Sequence, residues 1–284
     1  MKKQDFKVLK TADLHPFPDN PFRVVEDNAL LEMAESIKEF GVVTPIITRP
    51  MEEGNGYEVI AGQRRVRASQ LAGIDTVPAF VLPLDRDRAI ITLVDSNLQR
   101  ENILPSERAF AYKMKLEAMK RQGFRTDLTS PQLGQKLTSV QQLAQQSPNS
   151  RTQIQRFIRL TELIPPILQM VDEGKIALTP AVELSFLKKG EQENLFVTME
   201  SEEATPSRSQ AQRMKQLSQS GRLDMDTIFA VMTEEKANQK ETLKINTSKL
   251  KKYFPKDTTP KQMEDTIIRL LERELQKKRN RESR

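Results

Sequence analysis

The chain has 284 residues, more than one typical domain of about 100 to 150 residues holds, so we expect two or three folded cores. Its 45 Lys and Arg against 39 Asp and Glu give a net charge of +6, which favours a polyanionic partner. The absence of Cys excludes disulfides, thiolate zinc sites and cysteine nucleophiles, and a single His, His15, excludes His-rich metal sites. No apolar run approaches the roughly 20 residues of a membrane span, and Met1 to Lys10 lacks the apolar core of a signal peptide, so we expect a cytoplasmic protein without membrane contact.

The first hundred residues alternate β-rich runs with amphipathic helical patterns, which predicts an α/β segment. The predicted strands are Val42 to Thr48, Tyr57 to Ile60 and Val77 to Leu82. Apolar residues from Leu30 to Ile37 predict a helix that ends at Gly41, and Arg65 to Ala72 predict a second helix that ends at Gly73.

The character of the sequence changes at Pro105, which stands at the first position of a predicted helix that runs to about Gln122. Only helical patterns follow until the polar residues after Ser218, where we place a linker. We therefore divide the chain into residues 1–103, residues 104–220, a linker at 221–241 and a small C-terminal domain at 242–284.

The C-terminal domain is predicted to contain a strand at Leu243 to Ile245 and a helix after Pro260. That helix carries an apolar stripe formed by Met263, Ile267, Leu270, Leu271 and Leu275. Because a lone helix cannot hide such a stripe, we expect this domain to be α/β or helical and to make the chain a homodimer.

Two short helices with a tight turn between them are the most informative pattern of the central region. Ser139 with Gln142, and Ser150 with Gln153, have the spacing of helix-capping boxes. The residues on the inner faces, which we expect to be buried, are Val140, Leu143, Ala144, Ile154, Phe157, Ile158 and Thr161. The arrangement predicts a helix-turn-helix whose second helix fits the major groove of double-stranded DNA.

The outer face of the second helix carries only donors and small polar groups. Arg151, Thr152, Gln155, Arg156 and Arg159 fall within roughly 140° of each other on a helical wheel. Arg can pair with guanine and Gln with adenine, so the candidate DNA-binding residues are Ser150, Arg151, Thr152, Gln153, Gln155, Arg156 and Arg159. The alternative is a solvated helix in an ordinary bundle, which the absence of any Asp or Glu from Ser147 to Leu160 disfavours.

A second constellation, Gly62 to Ala68, lies between a predicted strand and a predicted helix. Its glycine lets the backbone approach a ligand, the helix N-terminus offers free N–H groups, and three Arg supply charge, so phosphate is the natural ligand. Spacing alone leaves three interpretations open: a nucleotide pocket, a patch that contacts DNA phosphates, or solvated surface charges.

The same run, Gly62 to Ala68, resembles the Gly-Glu-Arg-Arg-x-Arg-Ala box of the ParB family of DNA-partition proteins. Asn97 to Asn102 resembles that family's next box, usually Glu-Asn-Leu/Ile-Gln-Arg-Glu, and Pro105 to Ala109 follows at the expected place. Asn20 to Arg23 resembles the family's opening box in shortened form. The resemblance extends over about Leu14 to Leu187.

The resemblance implies an α+β protein with three domains. These are a small α/β ParB-like N-terminal domain that binds CTP with Mg, an all-helical central domain with a helix-turn-helix, and a C-terminal dimerisation domain. The resemblance further implies a partition-type DNA site, a dimer that CTP closes into a clamp on DNA, a ParA-type ATPase as partner, and association with the nucleoid.

The resemblance assigns a nucleotide role to seven residues. It places the phosphates against Gly62, Gln63, Arg64 and Arg65, the base near Thr44 and Pro45, and the metal and phosphates at Asn97. Gln63 departs from the family's Glu, and Ser96 stands where the family has the Glu linked to metal and hydrolysis. We therefore expect CTP binding with weak or absent hydrolysis and assign no catalytic residue. Phe124 to Thr138 is expected to be an insertion.

Two other functions remain open at this point. A DNA-binding transcriptional or replication regulator of a plasmid or mobile element would use the same fold without a nucleotide switch, and the residues at 63 and 96 favour it. An enzyme similar to sulfiredoxin or to a free-serine kinase would lack the cysteine or the carboxylate that its chemistry needs, and would leave the helix-turn-helix unexplained.

Overall fold

The computed structural model describes residues 5–100, 102–126, 139–145, 147, 149–234, 252–255 and 258–282. These residues belong to two compact units, Met1–Glu234 and Glu235–Arg284. A mixed sheet followed by a helical region confirms the predicted α+β class. Within the described ranges, no helix is long and apolar enough to cross a membrane.

A five-stranded sheet forms in the first hundred residues. Its strands are β1 (Asp5–Lys10), β2 (Leu14–Pro16), β3 (Ile46–Pro50), β4 (Tyr57–Ala61) and β5 (Thr76–Val81). Their spatial order is β1-β5-β3-β4-β2. β1 pairs with β5 and β3 with β4 in the antiparallel sense, whereas β3 with β5 and β2 with β4 are parallel pairs. The three predicted strands are therefore present with shifted ends, and β1 and β2 were not predicted.

Three helices pack around this sheet: α1 (Asn28–Phe40), α2 (Gln63–Leu71) and α3 (Arg86–Leu98). Successive residues of a strand face opposite sides of the sheet. Val59 accordingly packs in a core cluster with Val66 of α2, whereas Ile60 packs in another with Leu93 of α3. The sheet thus has α2 on one face and α3 on the other. The first residues of α2 and the last residues of α3 line the same cavity.

The remainder of the first unit is helical, as predicted. Its helices are α4 (Pro105–Thr126), α5 (Ser139–Gln145), α6 (Arg151–Arg159), α7 (Pro165–Asp172), α8 (Leu178–Leu184), α9 (Lys189–Ser201), α10 (Arg208–Gln219) and α11 (Met225–Thr233). One core joins them, and it contains the predicted inner residues Leu143, Ile154 and Phe157. Val140, Ala144 and Ile158 pack against it partly buried, and Thr161 is half-buried.

Helix α11 lies inside the segment 221–241 that was predicted to be a linker. Asp224 caps the helix by accepting a hydrogen bond from the Thr227 N–H at 2.8 Å. Ile228 and Val231, three residues apart on one helical face, are buried in the helical core. The structured helical region therefore extends past residue 221.

The second unit contains α12 (Pro260–Glu282), which confirms the predicted C-terminal helix. Three leucines of its apolar stripe are more than half exposed: Leu270 at 56%, Leu271 at 59% and Leu275 at 58%. The predicted strand at 243–245 and residues 127–138 of the predicted insertion lie outside the described residues.

Candidate anion pocket and nucleic-acid interface

The turn between β4 and α2 brings the helix N-terminus close to the sheet. Gly62 caps α2 with a φ of 100°, a left-handed conformation that side chains disfavour. A Cβ at this position would lie 2.7 Å from Cγ2 of Ile46, so a larger residue does not fit there. The unpaired N–H groups in the first turn of α2 therefore lie beside β3, where they can bind an anion.

Arg65 holds the loop ahead of β3. Its Nη1 donates to the carbonyl oxygen of Pro45 at 2.7 Å and also to that of Thr44. Burial lowers the pKa of the Arg65 guanidinium, which nevertheless stays charged at neutral pH. Since these partners are neutral carbonyls, the positive charge of Arg65 is left for an anionic ligand.

Arg64 forms an ion pair with Asp27 at the start of α1. Its Nη2 lies 2.7 Å from Oδ1 of Asp27, and Nη1 lies 3.3 Å from Oδ2. The hydrogen bond from Arg64 is the main cause that lowers the pKa of the Asp27 carboxyl. Asp27 also caps α1 by accepting from the Leu30 N–H at 2.9 Å. A phosphate that bound Arg64 would compete with Asp27 for its guanidinium.

The end of α3 supplies two neutral side chains. The Nδ2 of Asn97 donates to the carbonyl oxygen of Leu93 at 2.8 Å and lies 3.3 Å from Oγ of Ser96. The neighbouring acid, Asp95, accepts a hydrogen bond at 2.5 Å from the buried Lys115. The carboxylate of Asp95 is therefore paired with Lys115.

Arg100 and Glu107 belong to the same region but were not predicted as site residues. Glu107 accepts hydrogen bonds from the N–H groups of Arg23, at 2.9 Å, and Leu104, at 3.3 Å. Burial lowers the pKa of Arg100, an effect that Glu107 opposes and that the like charge of Arg64 reinforces. Arg100 lies within the box that starts at Asn97, so the family motif was a signal that could have identified it.

These elements enclose a cavity of about 1230 Å³. Seven residues considered from the sequence line it, namely Thr44, Pro45, Gly62, Arg64, Arg65, Ser96 and Asn97, and Arg23, Arg100 and Glu107 join them. Segments 44–45, 62–65 and 96–97, which are distant in sequence, therefore meet at one place.

Gln63 is the exception among the predicted phosphate-binding residues, because its side chain lines a separate cavity of about 220 Å³. Its Oε1 accepts a hydrogen bond from Nδ2 of Asn20 at 2.6 Å, and its Nε2 donates to the carbonyl oxygen of Val59 at 3.4 Å. Gln63 thus fastens the 20–22 turn to the sheet in this structure. Its phosphate contact stays a prediction.

The described residues contain no cluster of three or more His, Cys, Asp or Glu side chains arranged to hold a metal. At the end of α3 the available oxygen ligands are the hydroxyl of Ser96 and the amide of Asn97, both uncharged. The role of Asn97 as a metal ligand stays a prediction. Two uncharged oxygen ligands suit a cation that is bound mainly by the phosphates of a nucleotide.

The predicted helix-turn-helix is present in α5 and α6. Ser150 caps α6 by accepting from the Gln153 N–H at 3.3 Å, as the predicted capping spacing requires. Tyr112 of α4 fixes the turn, since its hydroxyl lies 2.7 Å from Oγ of Ser147 and accepts from Nδ2 of Asn149 at 2.6 Å. The cap at Ser139 adjoins residues outside the described ranges and stays a prediction.

The outer face of α6 divides into two parts. The exposed part is formed by Ser150, Arg151, Thr152, Gln153 and Gln155. Arg156 and Arg159, by contrast, are half-buried and bond to the segment around α8, Arg156 to Oγ1 of Thr179 at 2.7 Å and Arg159 to Ser185. The sequence placed the three arginines, with Thr152 and Gln155, on one face but could not distinguish an exposed arginine from partnered ones.

The fold and the two sites define a protein with an α/β domain that carries an arginine-lined cavity, followed by a helix-turn-helix domain. Residues 1–98 match the ParB N-terminal domain, and residues 129–219 match the ParB HTH domain. The chain therefore belongs to the ParB family, which confirms the resemblance of its motifs.

The chain is also similar to named members of this family. It is 35% identical over 178 residues to the Stage 0 sporulation protein J of Bacillus subtilis, covering 63% of this chain and 56% of that protein. It is 34% identical over 181 residues to the chromosome-partitioning protein Spo0J of Thermus thermophilus, covering 63% and 60%. The chain thus spans little more than half the length of these relatives.

A solved structure of the C-terminally truncated ParB from Caulobacter crescentus, complexed with CTP-gamma-S, is 26% identical. The match covers 64% of this chain and 92% of that one, with a TM-score of 0.32. A TM-score of this size does not establish a common overall arrangement.

Proposed function

We propose that this chain is a sequence-specific DNA-binding partition protein whose N-terminal domain binds CTP. The observation that carries the proposal is the meeting of segments 44–45, 62–65 and 96–97 in one cavity. The ParB resemblance independently assigns these segments to the nucleotide. The Thermus thermophilus relative is a chromosome-partitioning protein by name.

The cavity suits a nucleoside triphosphate in volume and in charge. Arg65, Arg64 and Arg100 surround it with positive charge, and the N-terminus of α2 adds N–H donors. The triphosphate would be held by these groups and the base by the 44–45 loop, with Mg bound between the phosphates and Asn97. A bound nucleotide would displace Asp27 from Arg64, which links binding to the start of α1.

The DNA-binding half of the proposal depends on the exposed part of α6. Arg151, Thr152 and Gln155 lie in its first two turns, which is where recognition helices contact base edges. Since α6 is short and firmly capped, it can enter a major groove without rearranging. The site would be double-stranded, and the protein would associate with the nucleoid.

Self-association is proposed through α12. Its exposed leucines form an apolar stripe that a second copy of the same helix can cover, and a two-fold dimer would match a palindromic DNA site. In sedimentation, the full chain should behave as a dimer and the Leu271→Glu, Leu275→Glu double variant as a folded monomer. A double variant that still sediments as a dimer would place the interface elsewhere.

A ParA-type ATPase and a CTP-closed clamp are the remaining parts of the proposal, and both come from family membership. The clamp requires the dimer and the nucleotide together, so it predicts that CTP slows the escape of the protein from a closed circular DNA but not from a short linear fragment. Equal release from both DNAs would contradict the clamp and leave the binding sites unaffected.

The decisive experiment is a calorimetric titration of the full chain with CTP, without DNA and with a duplex that the chain itself enriches from a random pool. We expect saturable CTP binding whose affinity changes when the duplex is present, and weaker binding of ATP, GTP and UTP. Absence of CTP binding under both conditions would favour the DNA-binding regulator without a nucleotide switch. Failure to enrich any duplex would refute the DNA-binding function.

A further inference from the structure

Arg159, the final residue of α6, makes several contacts with the segment that follows α8. The Nε of Arg159 donates to Oγ of Ser185 at 3.2 Å, and its Nη2 donates to the carbonyl oxygen of Ser185 at 2.8 Å. The guanidinium carbon also lies 4.1 Å from the centroid of the Phe186 ring. Three contacts, two of them hydrogen bonds to a residue that is 1% exposed, therefore fix the planar head of this side chain.

The same ring connects α6 to a third helix. The Nζ of Lys215 in α10 lies 3.8 Å from the centroid of Phe186, and it also donates to Oε2 of Glu183 in α8 at 2.8 Å. Two cations thus pack on one aromatic ring immediately after α8. The Phe186 ring therefore links α6, α8 and α10 at one place.

The other arginines of α6 differ from Arg159. Arg151 is exposed in the first turn, and Arg156 uses one hydrogen bond, to Thr179, out of the five donors that a guanidinium has. Arg159 alone among the three combines hydrogen bonds from two of its nitrogens with an aromatic contact. The two hydrogen bonds and the ring contact fix the direction of the Arg159 guanidinium, whereas Arg151 is exposed.

We infer that Arg159 is a positioning residue, which acts through Ser185 and Phe186 to hold α6 at the angle that the DNA groove requires. Base contacts then belong to Arg151, Thr152 and Gln155, and Arg159 contributes no contact of its own. The inference rests on the proposed DNA binding and deepens it. It removes Arg159 from the set of direct contacts that the helical face predicted.

The test compares Arg159→Ala with Phe186→Leu, because the Phe186 side chain has no charge and no hydrogen-bond donor to offer a phosphate or a base edge. The probes are a duplex enriched from a random pool by the wild-type chain and a scrambled duplex of equal length, and affinities are measured over a series of salt concentrations. Each variant should bind the enriched duplex at least about tenfold more weakly, and the double variant should be no weaker than the worse single one. Arg159→Lys, which keeps the charge but lacks the planar fork, should behave like Arg159→Ala.

The salt dependence provides a second readout. Each phosphate contact that is lost lowers the slope of log affinity against log salt by about 0.9. For the scrambled duplex, Arg159→Ala should leave both the slope and the affinity unchanged. Arg151→Ala is the matched control for a direct contact: because Phe186→Leu already misplaces α6, adding Arg151→Ala to it should cost less than Arg151→Ala costs in the wild-type chain.

Three results would each overturn the inference. Phe186→Leu could bind the enriched duplex as well as wild type, or the losses of Arg159→Ala and Phe186→Leu could add in the double variant. The slope of log affinity against log salt could also fall by about one in Arg159→Ala. Full rescue by Arg159→Lys would also contradict it, because a phosphate contact needs only the charge. If the wild-type chain enriches no duplex at all, the proposed function fails. That result is obtained before any variant is measured, so it is distinguishable from a failure of the inference on Arg159.

Discussion

The arginines of the cavity and those of α6 differ in the kind of group that each contacts. In the cavity, Arg64 and Arg65 already have partners, but these are an exposed carboxylate and two carbonyls, which a phosphate can replace or supplement. In α6, Arg159 at the far end of the helix bonds to the buried Ser185, whereas Arg151 in the first turn is exposed. A partnered arginine can therefore be a ligand-binding group or a structural one, and the identity of the partner distinguishes the two.

The largest effect is expected from Arg65→Ala in the cavity. This change removes a half-buried charge that lines the cavity and also frees the loop at Thr44 and Pro45, so CTP affinity should fall about a hundredfold. Arg67→Ala is the matched control, because Arg67 pairs with Glu26 outside this cavity and should keep affinity within about twofold. Calorimetry checks both, and unchanged affinity in Arg65→Ala would remove the pocket from the proposal.

The next effect is expected from Arg151→Ala on α6. If Arg151 pairs with guanine, the enriched duplex should be bound about 1 to 3 kcal/mol more weakly, and selectivity at a single base position should relax. CTP binding should not change, because this exposed residue lies outside the cavity. A selection repeated with the variant measures the base preference, and an unchanged preference would contradict base contact by Arg151.

A smaller effect, on turnover rather than binding, is expected at Ser96. The serine hydroxyl is uncharged and donates to the Leu93 carbonyl, and Asp95 is paired with Lys115, so wild-type hydrolysis of CTP should be slow. Ser96→Glu should raise phosphate release about tenfold with DNA present, with little change in CTP affinity. Rapid release by the wild-type chain would show that a carboxylate at position 96 is not needed.

Local patterns predicted the elements whose signals are complete within a few residues. Apolar spacing and a closing glycine gave α1 and α2 nearly to the residue, and Ser150 marked the start of α6. The edge strand β2 was missed because it has only three residues. Strand β1 was missed although Asp5 to Val8 alternates charged with apolar residues, a pattern that favours a strand, and most of its side chains are exposed. Helix α11 was missed because its short apolar pattern is stabilised by the helical core rather than by local signals.

The family motif predicted which residues gather at the candidate site. It did not predict which other residues they bind. The resemblance placed Thr44, Arg65 and Asn97 together correctly in space. It could not indicate that Gln63 binds Asn20, 43 positions away, because that contact depends on how the 20–22 turn folds back. The bond from Arg159 to Ser185, 26 positions away, escaped prediction for the same physical reason.

The smallest effect is expected from Asp27→Asn, which concerns the exposed pair between Asp27 and Arg64. Asparagine can still cap α1 but no longer holds the guanidinium by charge, so CTP affinity should rise by less than about fivefold. The direction follows from competition, since phosphate and Asp27 use the same donors of Arg64. Glu26→Gln, which loosens the pair with Arg67 outside the cavity, is the matched control and should leave affinity unchanged.

The pH dependence of this effect has a definite sign. Arg64 lowers the pKa of Asp27 below its ordinary value of 3.8, so the carboxylate is fully ionised at neutral pH and the pair is lost only as pH falls through that lowered pKa. The affinity difference between wild type and Asp27→Asn should therefore be constant between about pH 6 and pH 8. A variant that binds CTP no better than wild type would mean that Arg64 does not have to leave Asp27, and that the phosphates are held by Arg65 and the start of α2 alone.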